Sequence, residues 1–254
     1  MSNDPIHQFH IERVPGLPPI EIAGYDLSVT WASVAIAAAG GLAALFMTQA
    51  MRPAALVPGR TQLVAETAYG FIHSMVKDTT GADGVRRFFP FVFTLFMFIF
   101  TANMIGMFPY FFTPTSQVIV TATMAMMVFL TVIVLGFLKN GFKFFKLFFP
   151  SGIPWPLYFI VTPIEIISFF SRPLSHAVRL WANILAGHLV LKVFAGFVPM
   201  MAGAGIWWLS GLSIVPLVMT VALYGLEFLV AFLQAYVFAM LTCIYLNDAL
   251  HPGH

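Results

Sequence analysis

Arg179 stands in the run Val178-Arg179-Leu180-Trp181-Ala182-Asn183-Ile184-Leu185-Ala186-Gly187-His188, which otherwise reads as membrane-buried helix. A guanidinium keeps its charge at any physiological pH, so an arginine at that depth costs free energy and marks a functional site. Glu165, Arg172 and Arg179 are spaced by seven, drifting about 20° per step around a helix. Ser168, Ser175, His176 and Asn183 fall beside that line at three- and four-residue offsets, and the segment continues past Gly187 to His188 and Lys192. A second apolar segment carries Glu227 and Gln234 seven apart, with Tyr224 about one turn before Glu227. Glutamate and histidine can exchange protons near neutrality in suitable surroundings, whereas arginine cannot. Titratable groups toward both ends with a permanent cation between them suit a proton route that is interrupted. A fixed positive charge repels a proton and attracts a carboxylate. This chain has no evident unpaired carboxylate at the level of Arg179, so its partner is expected on another subunit.

Each residue also has a plainer reading. Ser168, Ser175 and Asn183 could serve only as interhelical hydrogen-bonding groups, worth about 0.6–2 kcal/mol. Glu165, Arg179 and Glu227 are harder to dismiss, because the more costly charged types lose roughly 2.5–3.5 kcal/mol each at the centre of a membrane helix. For Arg172 two readings stay open, membership of the polar stripe or a side chain snorkelling to the inner interface. Lys192 is expected to snorkel to the outer interface, and His73 to be a solvated or interfacial histidine.

The positioning elements follow from composition. Of 254 residues 60% are hydrophobic and 9% charged, against roughly a quarter charged in soluble domains, which makes this a polytopic membrane protein. The few Lys and Arg lie at membrane boundaries or inside apolar helices and form no basic stripe, which excludes nucleic-acid binding. Cys243, the single cysteine, forms no intrachain disulfide and reads as a packing residue. No secretory signal is expected at the polar N-terminus, and no phosphate-cradling Gly-rich loop is present. No metal site or cofactor is expected.

The expected fold is all-α with about five crossings. Residues 1–26 form an external segment and 27–51 the first span, long enough for the roughly 20 residues that crossing requires. Residues 57–80 are read as an amphipathic interfacial helix with Val64, Ala68, Phe71 and Met75 on one face. Between Phe88 and Leu138 there is no charge, which predicts spans at 88–109 and 116–138. Residues 142–160 are an aromatic interfacial connector. Segments 162–199 and 206–248 are overlong: the first would reach roughly 55 Å against a hydrocarbon core of roughly 30 Å. They are expected to tilt and bend, at Pro173 and Pro216, as a hairpin turning at Ala202-Gly203-Ala204-Gly205. Lys and Arg cluster in the loops around 52–87 and 139–146, which puts the N-terminus outside and the C-terminus in the cytoplasm.

At these residues the chain resembles subunit a of F-type ATP synthases, in the variant of alphaproteobacteria and mitochondria. The resemblance covers most of the chain and is strongest in Pro173-Leu174-Ser175-His176-Ala177-Val178-Arg179-Leu180-Trp181-Ala182-Asn183, Ala186-Gly187-His188 and Phe232-Leu233-Gln234-Ala235-Tyr236-Val237-Phe238. Phe112-Thr113-Pro114-Thr115-Ser116 matches as well. It implies that Arg179 is the family's essential arginine, Asn183 its neighbouring amide and Gln234 its second-helix glutamine. His188 and Glu227 carry exchanged identities relative to many bacterial members, which implies a cooperating acid–base pair.

The resemblance further implies a non-catalytic stator subunit with two offset half-channels that load and unload a carboxylate on a rotating c-ring. His188, Glu227, Asn183 and Gln234 would line the outer route, and Glu165, Ser168, Ser175 and His176 the inner one. Implied partners are the c-ring of small hairpin subunits, b-type subunits of the peripheral stalk and the lipid bilayer; the implied location is a bacterial inner membrane. A secondary ion or anion transporter, with Arg179 holding an anionic substrate, is the alternative. The absence of internal repeats and the overlong hairpin weigh against it.

Overall fold

The computed structural model describes residues 13–15, 18, 21–22, 25–26, 28–52, 58–108, 111–149, 154–203 and 207–250. Most of the expected external segment lies outside these residues, as do Pro109 and positions 204 and 205 of the expected hairpin turn. Before the first span, β1 (Glu21–Ile22) and β2 (Tyr25–Asp26) pair antiparallel, Glu21 opposite Asp26. The rest is helical, and five helices are long and apolar enough to cross a membrane: Trp31–Met51, Gly84–Gly106, Val118–Phe148, Tyr158–Ala202 and Ser210–Leu250.

Helix α1 (Trp31–Met51) starts at a reciprocal cap: Ser33 N–H donates to Thr30 Oγ1 at 3.3 Å, and Thr30 N–H donates to Ser33 Oγ at 3.0 Å. It buries only the alanines Ala32, Ala39, Ala43 and Ala50. Such a small-residue stripe lets a helix approach its neighbour closely while the other faces stay apolar toward lipid. That neighbour is α2 (Arg60–Gly106).

Two helical stretches of α2 meet at Gly81, whose φ of 75° and ψ of 177° fall in a region essentially reserved for glycine. Before the kink, Ala65, Ile72, Met75 and Val76 are buried, whereas Val64 is 58% exposed and Phe71 39%, so of the expected apolar face only Met75 is in the core. The stretch is apolar on more than one side. Phe71 reaches Phe232 and Tyr236, with ring centroids at 6.0 and 5.4 Å.

A buried tight turn, Pro114–Ser116, leads into α3 (Val118–Asn140). Buried backbone outside regular structure needs hydrogen-bond partners, and the Thr113 carbonyl accepts from both Ser116 N–H at 3.2 Å and Ser116 Oγ at 2.7 Å. The side chains reach further: Thr115 Oγ1 donates to Asn103 Oδ1 at 2.7 Å, and Asn103 Nδ2 donates to the Ala231 carbonyl at 3.2 Å. The turn is thereby tied to α2 and to the last helix. A tight helical stretch, Gly141–Phe148, follows α3.

Helix α4 (Tyr158–Ala202) has 45 residues and contains Pro163, Pro173 and Pro199. At 1.5 Å per residue it would reach about 68 Å, twice what an upright span needs. Short α5 (Trp207–Leu212) precedes α6 (Ile214–Leu250). The expected bend of segment 206–248 at Pro216 takes the form of a break at Ser213, with Pro216 in the first turn of α6. A proline lacks the N–H that would bond the carbonyl four residues back, so helix stops there at little cost. Helix α6 packs against α2, α3 and α4, and α4 lies against α3 and α6. The shared core holds Val92, Phe96 and Ile99 of α2, Val128 of α3, Leu180 and Ile184 of α4, and Ala235, Ala239, Cys243 and Leu246 of α6. Cys243 is fully buried there.

Candidate functional site

Helices α4 and α6 run side by side and are joined near both ends by polar pairs. At one end His188 Nδ1 lies 3.2 Å from Glu227 Oε1, with side chains only 12% and 5% exposed. Their approach depends on Gly187: a Cβ there would stand 3.0 Å from Glu227 Oε1. The other imidazole nitrogen, Nε2, is 3.2 Å from Thr113 Oγ1, and that hydroxyl donates to the Gly106 carbonyl at 3.3 Å. A hydroxyl has one proton, so with it directed at Gly106 the Thr113 oxygen accepts from Nε2–H. The neutral imidazole then turns its Nδ1 lone pair toward Glu227, where it can receive a proton from the carboxyl group. Tyr224, on the same helix, donates its hydroxyl to the Met107 carbonyl at the end of α2. Thr113, Met107 and Gly106 come from the turn region between α2 and α3, which closes over this end of the hairpin.

At the other end Arg172 Nη1 donates to Asp248 Oδ2 at 3.0 Å, and the guanidinium stands 4.9 Å from the centre of the Tyr245 ring. This decides between the two readings of Arg172: it reaches across to α6. Asn140, at the end of α3, donates to the Ala249 carbonyl at 2.7 Å and so ties off the last turn of the same helix.

Along α4 the predicted stripe splits. Ser168, Ser175, Arg179 and Asn183 are exposed on one face, with Glu165 half-buried beside them. His176 instead turns inward, its ring 4.7 Å from Phe238 and 5.2 Å from Tyr245. Its Nε2 is buried without a hydrogen-bond partner among the described residues. Gln234 is half-buried on α6. No carboxylate among the described residues lies within 4 Å of Arg179. On the flanking faces of α4 apolar side chains are exposed as well, Leu174 at 66% and Val178 at 42%.

Sequence reasoning therefore named His188 and Glu227, which the fold brings together, and placed no role on Thr113, Asn103 or Asp248. Asn103 had a signal: it is the only asparagine in the charge-free stretch from Phe88 to Leu138. For Asp248, nothing in helical spacing points at Arg172, 76 residues away.

Comparison with known proteins bears on the same set of residues. The family described as ATP synthase A chain matches residues 28–247, which takes in every site residue expected from the sequence and stops one residue before Asp248. A protein of Rhizobium johnstonii named ATP synthase subunit a is 58% identical over 253 residues, spanning 100% of this chain and 99% of its own length. Its namesake in Rhizobium etli is 57% identical with the same coverage, and that of Chelativorans sp. is 57% identical over 257 residues, spanning all of both chains. An exposed arginine on an overlong helix hairpin, an acid–histidine pair beside it and a match along almost the whole chain converge: the chain belongs to the ATP synthase A chain family.

Proposed function

We propose that Arg179 divides two proton half-channels in this subunit, and that a carboxylate of a rotating c-ring passes in front of it. As a member of its family the chain is a non-catalytic, multi-pass membrane subunit of an F-type ATP synthase, the stator part through which protons pass. The observation that carries the mechanism is an always-charged, exposed side chain on a membrane-spanning helix, with no carboxylate among the described residues within 4 Å. A charge so placed is stable only when a counter-charge is brought to it.

Lys and Arg clustering orients the N-terminus outside and the C-terminus in the cytoplasm. The His188–Glu227 end is then the outer one. Protons enter there past Tyr224, Glu227 and His188 and reach the ring carboxylate beside Asn183 and Gln234. Once neutral, that carboxyl moves into lipid without the desolvation cost of a charge. After nearly a full turn it releases its proton to the cytoplasmic route, lined by Glu165, Ser168, Ser175 and His176. Arg179 favours the ionised carboxylate as it arrives and, being unable to titrate, prevents a direct leak. Each proton crossing contributes about 2.3 kcal/mol per 100 mV of membrane potential. The inner bacterial membrane is the setting, with peripheral-stalk b-type subunits holding the stator.

The test places a cysteine at Asn183 in a Cys243→Ser background and crosslinks it to cysteines introduced beside the c-subunit carboxylate. ATP-driven proton pumping of Arg179→Ala is measured in parallel. Crosslinks together with abolished pumping are expected; coupled pumping that survives Arg179→Ala removes the central role of the arginine.

A further inference from the structure

The charge-free stretch from Phe88 to Leu138 is bounded by Arg86 and Arg87 at one end and Lys139 at the other. The fold brings both boundaries to one place. A cavity of about 600 Å³ is lined by Thr80, Gly81, Arg86, Arg87, Phe88 and Lys139, with Leu250 among the remaining walls. Because its cations mark where two spanning helices leave the apolar layer, the cavity sits at headgroup depth. All three cations are exposed, and none makes an ion pair among the described residues. With Asp83, their neighbour in sequence, counted against them, the group still carries a net charge of +2.

No carboxylate among the described residues pairs with these cations. The Ala249 and Leu250 carbonyls, which a basic side chain could cap, accept from Asn140 at 2.7 and 3.4 Å instead. The kink at Gly81 is what opens the recess, since helix continued through it would place side chains there. Immediately outside, Leu138 is 78% and Phe142 90% exposed, a surface fit for acyl chains. Two guanidinium groups and an ammonium above apolar side chains match one ligand chemistry: a phosphodiester attached to a hydrocarbon tail.

We propose that this cavity is a binding site for the phosphate headgroup of an anionic phospholipid, formed by Arg86, Arg87 and Lys139 at the kink of α2. Its assignment to the cytoplasmic leaflet rests on the orientation argued above; the site itself does not depend on the proton route. A lipid held there locks α2 to the ends of α3 and α6.

The test uses the intact synthase, delipidated and reconstituted into phosphatidylcholine vesicles carrying a photoactivatable probe lipid, either phosphatidylglycerol or phosphatidylcholine. Labelled peptides are read by mass spectrometry. The expected result is labelling near residues 80–88 and 138–142 by the anionic probe in preference to the zwitterionic one. For three cations the preference should be on the order of 100-fold. The triple variant Arg86→Gln, Arg87→Gln, Lys139→Gln should bring it to near parity, while Arg52→Gln leaves it unchanged. Equal labelling by both probes, no labelling at these residues, or a preference that survives the triple change overturns the proposal. Displacement of the probe by millimolar inorganic phosphate also overturns it, by assigning the site to free phosphate. Should the triple variant fail to assemble, the two-probe comparison and the phosphate competition on the wild-type enzyme still decide.

Discussion

The two ends of the α4–α6 hairpin solve the same problem in opposite ways. Both must place charge-bearing side chains between apolar helices. At one, Arg172 and Asp248 form an ion pair of ordinary geometry, with the guanidinium over Tyr245. At the other the pair is His188 with Glu227, held by Gly187 on one side and Thr113 on the other. Sixteen residues, or about 24 Å of helix, separate Arg172 from His188. An arginine–aspartate pair is a clasp, because arginine never gives up its proton. A histidine–glutamate pair is a clasp whose charge can come and go, because one proton shared between the two groups leaves either both charged or both neutral. Arg179 lies between them with neither kind of partner from its own chain. The lesson is that the expense of polar groups in a membrane does not itself identify chemistry; the capacity of the pair to exchange a proton does.

The comparison breaks most visibly if His188 and Glu227 are not a pair. His188→Ala and Glu227→Gln should each reduce ATP-driven proton pumping strongly, and His188→Glu with Glu227→His should recover more than either exchange alone. Losses that simply add in a double-mutant cycle would show two independent residues.

Thr113 sharpens the same end. Thr113→Val keeps the shape but removes the acceptor that fixes the imidazole tautomer, and should slow pumping roughly 2- to 10-fold, the worth of one ordinary hydrogen bond. Thr113→Ser should stay near wild type. Equal rates for the valine and serine variants would remove the hydroxyl from the relay.

The Arg172–Asp248 end should respond in stability rather than in transport. Asp248→Asn is expected to lower stability by roughly 1–2 kcal/mol, between the values for exposed and buried pairs, with pumping within about twofold of wild type. Thermal denaturation of the purified complex and the pumping rate separate the two effects. A pumping loss as large as that of Glu227→Gln would erase the distinction between clasp and relay.

The smallest expected effect is at Gly187. A methyl group there must displace the Glu227 carboxylate by a few tenths of an ångström, and Gly187→Ala should cost about 1 kcal/mol. It should also reduce the coupling energy measured between His188 and Glu227. An unchanged coupling would mean that the pair does not depend on this close approach.

Helix number and apolar character were legible in the chain because membrane spans are a property of local composition: some 20 apolar residues suffice, whatever packs against them. Arg179 was legible for the same reason, since a charge in an apolar run is conspicuous without knowledge of its neighbours. Facing was less so. Periodicity before Gly81 puts Val64 and Phe71 on one apolar face with Met75, yet Ala65 and Ile72 are the residues buried beside Met75. A helix between protein and lipid is apolar on both sides, so periodicity cannot tell which side meets protein.

Of the pairings across long sequence separation only His188 with Glu227 was reached beforehand, and through the family resemblance rather than through spacing. Helical spacing gives neighbours three and four residues apart, but Thr113 meets His188 across 75 residues and Arg172 meets Asp248 across 76. It could put His176 beside Arg179, yet not see that the histidine turns in toward Phe238 and Tyr245 while the arginine stays on the outer face. Sequence by itself determined a five-span membrane protein with an unanswered cation and proton-exchanging residues near it, because hydropathy and residue type act locally. Tertiary structure alone decided which of those residues meet, which are only clasps, and that three distant cations share one cavity, because those facts depend on how kinked helices stack.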